Sequence, residues 1–194
     1  MSVDERMVHD IVQKVMANMQ ISGSVSGMHG VFKDMNDAIN ASIEAQKKVC
    51  TMTLDQREQI ISLIRKKTHE NAEILANMGV NETGMGNVGD KILKHHLTAD
   101  KVPGTEDIST IAWSGDRGLT LVEMGPFGVI GAITPATNPS ETVICNCIGM
   151  LAGGNTVVFN PHPNAKKTTI YTINMINEAS IEAGGPDTVS YTHL

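Results

Sequence analysis

Apolar residues recur along the first twenty positions at Val3, Met7, Val8, Ile11, Val12, Val15, Met16 and Met19. The steps between them alternate between one and three after an initial four, tracing one stripe of a helix of about 3.6 residues per turn. Asp4, Arg6, Asp10 and Lys14 occupy the opposite face. Ser2 is the predicted N-cap, and Glu5 three places on completes a capping-box pattern. Residues 21–30, "ISGSVSGMHG", are rich in Gly and Ser and read as a flexible linker. The pattern is again helical over residues 31–99. "MNDAINASIEAQKKV" and "TLDQREQIISLIRKKTHENAEILANMGV" repeat apolar residues at three and four, with Thr53 as N-cap and Gln56 three residues on. "NETGMGNVGDKILKHHL" reads as a break followed by another helical piece.

The periodicity changes at Gly128. "GVIGAIT" is short, apolar and rich in β-branched residues, which predicts a buried strand. "PSETVICNCIGMLA" predicts a helix. Asn138 stands at its N-cap and Pro139 at N1, where a missing N–H costs nothing. Glu141 in the first turn suits the helix dipole, and Gly153 and Gly154 end the helix. "NTVVFN" is a second strand, "PHPN" a turn, and "AKKTTIYTINMINEASIEAG" a second long helix. Strand, helix, strand, helix is a βαβ unit, which demands parallel pairing and a right-handed crossover. Ligands of such sheets bind beyond the carboxyl ends of the strands. That rule selects Ile133, Thr134, Pro135, Ala136, Thr137 and Asn138 on one side of a cofactor crevice, and Asn160, His162 and Pro163 on the other. Pro135 and Pro139 preset the backbone where a ligand would lie against it.

A chain of 194 residues is one ordinary domain or part of a larger protein, and 41% apolar content permits a buried core. The formal net charge of −6 argues against nonspecific nucleic-acid binding, which needs a basic face. One Trp, two Tyr and three Phe are too few for a base-stacking platform. No apolar run is long enough to cross a bilayer, and the acidic first turns do not form a secretory signal. Cys50, Cys145 and Cys147 are an odd set and point to a reducing compartment, not a disulfide framework.

Three features invite chemistry and are read plainly. Gly84, Gly86 and Gly89 match G-x-G-x-x-G, with Glu106 and Asp107 about twenty residues on, but a helical pattern precedes them where the dinucleotide motif requires a strand. They are read as a helix end and a turn. His95 and His96 are adjacent on a helix, point in different directions and have no further ligands at metal spacing, so they read as a surface pair and no metal is expected. Cys145 and Cys147 lie in an apolar helix without a cation to lower a thiol pKa, and read as buried structural residues. The first helix has two readings open: packing onto its own domain, or docking in another protein's groove. Membrane-surface binding is the weaker fit, because its polar face is not basic and it lacks bulky aromatics.

"ETG", "GPFGVIGAITPATNPSETVICNCIGMLAGGNTVVFNPHPNAKKTT" and "EAGGPD" together resemble the aldehyde dehydrogenase superfamily. The "TPATNP" and "FNPHP" variants are similar to its CoA-acylating branch, the propionaldehyde and acetaldehyde dehydrogenases of bacterial microcompartments. The resemblance implies N-terminal helices followed by the first βαβα part of a Rossmann-like cofactor domain. It implies NAD(P)-dependent oxidation of a short aldehyde, with coenzyme A as co-substrate receiving the acyl group from a cysteine thioester. It implies a homo-oligomer in the full-length parent and a cytoplasmic location inside a microcompartment. The stripe from Val3 to Met19 resembles an encapsulation peptide that binds a shell protein.

Pro135 to Pro139 match the family's Pro-Trp-Asn-Phe-Pro turn. Thr137 stands where hydrolytic relatives keep the asparagine that holds the oxyanion, and Asn138 offers an amide one place over. Asn160 stands where many relatives carry a ribose-contacting lysine, so NAD and NADP are not distinguished. The resemblance divides the chain into a targeting helix (1–20), a linker (21–30), part of a cofactor domain (31–187) and a tail departing from the family (188–194). It places the catalytic cysteine beyond Leu194, so the 194 residues alone are expected to be inactive, and a sheet ending after two strands is expected to leave an apolar edge unpaired. Two other readings stand beside this one: a shell-docking interaction protein, and another α/β nucleotide-binding protein without aldehyde chemistry.

Overall fold

The computed structural model describes residues 28–187 and 189–193. The helix expected over residues 1–20 and most of the linker lie outside them. The elements in order are β1 (Val31–Phe32), α1 (Met35–Val49), α2 (Leu54–Thr83), α3 (Val88–Lys101), β2 (Ile111–Gly115), β3 (Gly118–Val122), β4 (Val129–Ile133), α4 (Pro139–Ala152), β5 (Thr156–Asn160), α5 (Lys166–Glu182) and β6 (Ser190–His193). Single 3-10 turns occupy Thr105–Asp107 and Pro163–Ala165.

The helix ends follow their sequence signals. Thr53 and Gln56 form the reciprocal capping box that starts α2. Gly84 ends that helix in the left-handed region at φ 69°, which a Cβ would disfavour. Gly84 and Gly86 of the G-x-G-x-x-G stretch are therefore a helix end and a turn, while Gly89 lies in the first turn of α3. Asp34 and Asn87 cap α1 and α3.

β4, α4 and β5 form the predicted βαβ unit, with Val129 to Ile133 paired in parallel register to Thr156 to Asn160. The sheet does not stop there. Its order is β1-β6-β5-β4, all parallel. The segment expected to depart from the family supplies β6, which pairs with β5 at Val157–Ser190 and Phe159–Thr192, so that edge is not left open. Val31 and Phe32 form β1 on the far side of β6, not the start of a helix. Two extended residues are too few to carry a period.

Side chains of β5 alternate between two cores, as a strand buried on both faces requires. Val157 and Phe159 join Ile60, Ile61 and Ile64 of α2, Ile144 and Ile148 of α4 and Ile176 of α5. Val158 points the other way, to Phe32 and Tyr191 and to Ala38, Ala41 and Ala45 of α1. The small residues of α1 let its backbone lie close to the sheet. There Gln46 donates to the Gly154 carbonyl (2.8 Å) and accepts from the Thr156 N–H (2.7 Å), fixing where β5 begins.

β2 and β3 form a separate antiparallel hairpin on which every residue is exposed, including Trp113, Leu119 and Leu121. No helix among the described residues is long and apolar enough to cross a membrane.

Candidate functional site: the crevice at the carboxyl ends of β4 and β5

β4 and β5 end level with each other, because Ile133 pairs with Asn160. The Thr134 N–H then donates to the Asn160 carbonyl at 3.1 Å, binding the two strand exits together. Beyond them the chain alternates. Ile133, Pro135 and Thr137 are exposed while Thr134, Ala136 and Pro139 are buried, with Asn138 between the two. β4 is an edge strand of the described sheet and only Ala132 in it is buried, so it is not the buried strand expected; Ile133 at its end is 83% exposed, which makes an apolar platform on the lip. Thr134 Oγ1 is buried without a hydrogen-bond partner.

On the opposite lip Asn160, His162 and Pro163 are exposed. His162 Nδ1 accepts from the Asn164 N–H at 3.1 Å, so this ring caps the 3-10 turn before α5 and is the Nε2-protonated tautomer when neutral. The structure thus places Ile133 and Thr134 beside Asn160, with Pro135 to Asn138 and His162 to Pro163 following these strand ends in the chain. Asn138 departs from its expected role. It precedes α4, but its side chain makes no capping bond, and Lys94 Nζ donates to its Oδ1 at 3.4 Å. With the oxygen so engaged, the Asn138 amide hydrogens remain as donors at an uncapped helix N-terminus.

A cavity of about 310 Å³ opens beside this turn, lined by Lys94, Leu97, Thr98, Asn138, Glu141, Thr142 and Cys145. Cys145 is therefore half-buried on a cavity wall, not fully buried as expected, while Cys147 is buried. Burial pushes the Cys145 thiol up and the Glu141 carboxylate adds to the effect. Burial pushes the Cys147 thiol up to about 12. Neither is an activated nucleophile. Cys50 is exposed at the C-terminal end of α1, where Gln46 Nε2 lies 3.1 Å from its sulfur.

Beneath the turn lies a polar group that the sequence analysis missed. Lys91 and Glu141 are 3% and 6% exposed and form an ion pair at 3.3 Å. Lys91 Nζ also donates to the Thr137 carbonyl at 3.0 Å. His95 corrects the surface-pair reading: it is fully buried, with Nδ1 2.7 Å from the Lys91 carbonyl and Nε2 2.7 Å from Ser140 Oγ. Because a carbonyl only accepts, Nδ1 carries the proton and Ser140 donates to Nε2. Burial lowers the His95 pKa below 6.5, keeping the ring neutral. His96 turns the other way and stacks on His69, which reaches Asp100 at 2.8 Å. Lys91 and His95 share a face of α3 at one helical turn, but nothing in a single sequence says that this face meets residues 137–141.

A family model described as the aldehyde dehydrogenase family matches residues 16–191. The chain is 46% identical over 190 residues to an acetylating acetaldehyde dehydrogenase of Bilophila wadsworthia, covering 93% of this chain and 39% of that protein. Its structure is similar to that of a propionaldehyde dehydrogenase from the fucose utilisation microcompartment of Clostridium phytofermentans, with a TM-score of 0.83 and 71% identity over 85% of this chain and 38% of that one. It is also similar to a Rhodopseudomonas palustris propionaldehyde dehydrogenase with bound propionyl-CoA, at 45% identity and a TM-score of 0.82, over 84% of this chain and 37% of that one. The chain therefore spans about two fifths of the length of these proteins.

Proposed function

The chain belongs to the aldehyde dehydrogenase family, its close relatives being CoA-acylating enzymes, and from that premise we propose that it carries the nucleotide crevice of an enzyme converting a short aldehyde, propionaldehyde or acetaldehyde, to acyl-CoA. The observation that carries this reading is the level exit of β4 and β5, with exposed apolar Ile133 beside Asn160 and an exposed His162 two residues further on. That donor set fits a nicotinamide dinucleotide. Asn160 and the Nε2 of His162 would meet its adenosine half, Ile133 would take apolar contact, and the Thr137 hydroxyl and Asn138 amide would face the reacting carbonyl. A bound dinucleotide supplies the hydride acceptor, and coenzyme A supplies the thiol that receives the acyl group. Cys145 and Cys147 do not suit the role of the nucleophile, since both thiols are pushed up by burial.

The stripe from Val3 to Met19 would dock in a shell-protein groove through its apolar face, tethered by residues 21–30. The exposed Trp113, Leu119 and Leu121 would be covered by another copy in a homo-oligomer. The test joins this chain to the remaining part of the Clostridium phytofermentans relative. Formation of propionyl-CoA and NADH from propionaldehyde, CoA and NAD supports the reading, and a folded protein that forms neither overturns it.

A further inference from the structure

The turn from Thr137 to Pro139 is held at Asn138, whose carbonyl accepts from the Thr142 N–H at 3.0 Å and whose Oδ1 accepts from exposed Lys94 at 3.4 Å, but only weakly at Thr137. Asn138 makes no side-chain cap, Pro139 has no N–H, and the chain passes from an exposed Thr137 straight into a buried helix start. One buried cation does reach it. We propose that Lys91 is a positioning residue, whose ammonium grips the Thr137 carbonyl and so sets the direction in which the Thr137 hydroxyl and Asn138 amide meet the reacting carbonyl oxygen. This rests on the acyl-CoA-forming function proposed above.

Three features support the role. The donor is rigid, because its stem is buried beside Gly79, where an added Cβ would lie 3.8 Å from the lysine chain. It is aimed from two sides: Glu141 Oε1 holds Nζ at 3.3 Å, and the His95–Ser140 bond ties α3 to the first turn of α4 at 2.7 Å. The Ser140 hydrogen goes to His95 Nε2, so its oxygen meets Glu141 Oε2 at 3.2 Å as a packing contact only, and the two pairs are linked through the His95 Nδ1–H bond to the Lys91 carbonyl at 2.7 Å. And stability is a poor explanation for the pair itself. A buried ion pair is often matched or bettered by apolar residues of similar volume, because desolvating two charges offsets their attraction. A positioned donor is different: a displacement of the reacting geometry by about 1 Å can cost about a hundredfold in rate.

The experiment uses the same joined enzyme with Lys91→Met, Glu141→Gln and the double variant Lys91→Met/Glu141→Gln. Lys91→Met alone strands a buried carboxylate and should lower the melting temperature. The double variant removes both charges at nearly constant volume and should recover most of that loss. Its kcat for propionaldehyde should nevertheless stay at least about tenfold below the parent, with NAD affinity unchanged, because the Thr137 carbonyl is still unheld. Glu141→Gln keeps the Lys91 donation and should lose less kcat than the double variant. Recovery of both melting temperature and kcat in the double variant makes the pair merely structural and overturns the proposal. So does a double variant no more stable than Lys91→Met, or a Glu141→Gln variant as slow as the double. If the unsubstituted joined enzyme forms no acyl-CoA, the proposed function itself fails and this role falls with it.

Discussion

Glu82 caps a helix it does not belong to. Its Oε2 accepts from both the N–H and the hydroxyl of Thr168 at 2.7 Å, and its Oε1 accepts from the Lys167 N–H at 2.7 Å. α5 has no side-chain cap of its own at Ala165, so the last turn of α2 supplies the carboxylate that its free N–H groups and dipole favour.

Glu82→Ala should therefore destabilise the fold by about 1.5–3 kcal/mol, the scale of hydrogen bonds to a charged group. Glu82→Gln, which keeps an acceptor, should cost less. Urea denaturation checks both. An unchanged midpoint for Glu82→Ala would mean that water replaces the carboxylate.

The cysteines should react in the order of their surroundings. At pH 8 an alkylating reagent should label exposed Cys50 first and half-buried Cys145 slowly. Cys147, pushed up to about 12, should be labelled only on unfolding. Intact-mass measurement over time reads the order. Rapid labelling of Cys145 would point to an activated thiol and return it to consideration as a nucleophile.

His95 gives stability a pH dependence. Its folded pKa lies below its unfolded value of 6.5, so below that value the unfolded chain binds more protons and stability falls with falling pH. Its contribution is complete above 6.5 and is lost as the pH drops through the folded pKa. His95→Gln should flatten the denaturation midpoint measured between pH 7.5 and 5.5. An equally steep dependence in the variant would assign it to other groups.

Much of this was legible beforehand for a physical reason. Caps, breaks and buried strands are local, so Thr53, Gly84, Pro139 and the β4–α4–β5 unit announce themselves over a few residues. The hairpin of β2 and β3 did not. Its strands carry apolar side chains that the rest of the described fold leaves exposed, so burial does not impose the alternation that marks a strand. Long-range pairing was equally silent. His95 looks like any exposed histidine until α3 packs on α4, and residues 190–193 look foreign until they line up beside β5. At the site, Ile133 to Asn138 and Asn160 to Pro163 could be named because topology alone puts ligands there. Lys91 could not, because its partner lies 46 residues away.

The targeting role proposed for residues 1–20 has a direct test. Ile11→Asp should abolish targeting of a reporter fused to residues 1–30, since each buried Val, Ile or Met contributes about 1.5–3 kcal/mol before ordering costs. Lys14→Gln should leave targeting intact. Equal loss from both would indicate charge-driven binding, and no loss from Ile11→Asp would return the stripe to its own domain's core.

The crevice itself is tested most directly at Asn160, whose backbone is held by Thr134 while its side chain stands exposed on the lip. His162 is less clean, because its ring also caps the turn before α5. The decisive measurement is the NAD dissociation constant of the joined enzyme and of its Asn160→Ala variant, read beside their melting temperatures. Binding about fivefold weaker, equivalent to about 1 kcal/mol, with an unchanged melting temperature is the predicted result. Unchanged affinity, or a fall in melting temperature alone, would contradict the placement of the cofactor at the carboxyl ends of β4 and β5.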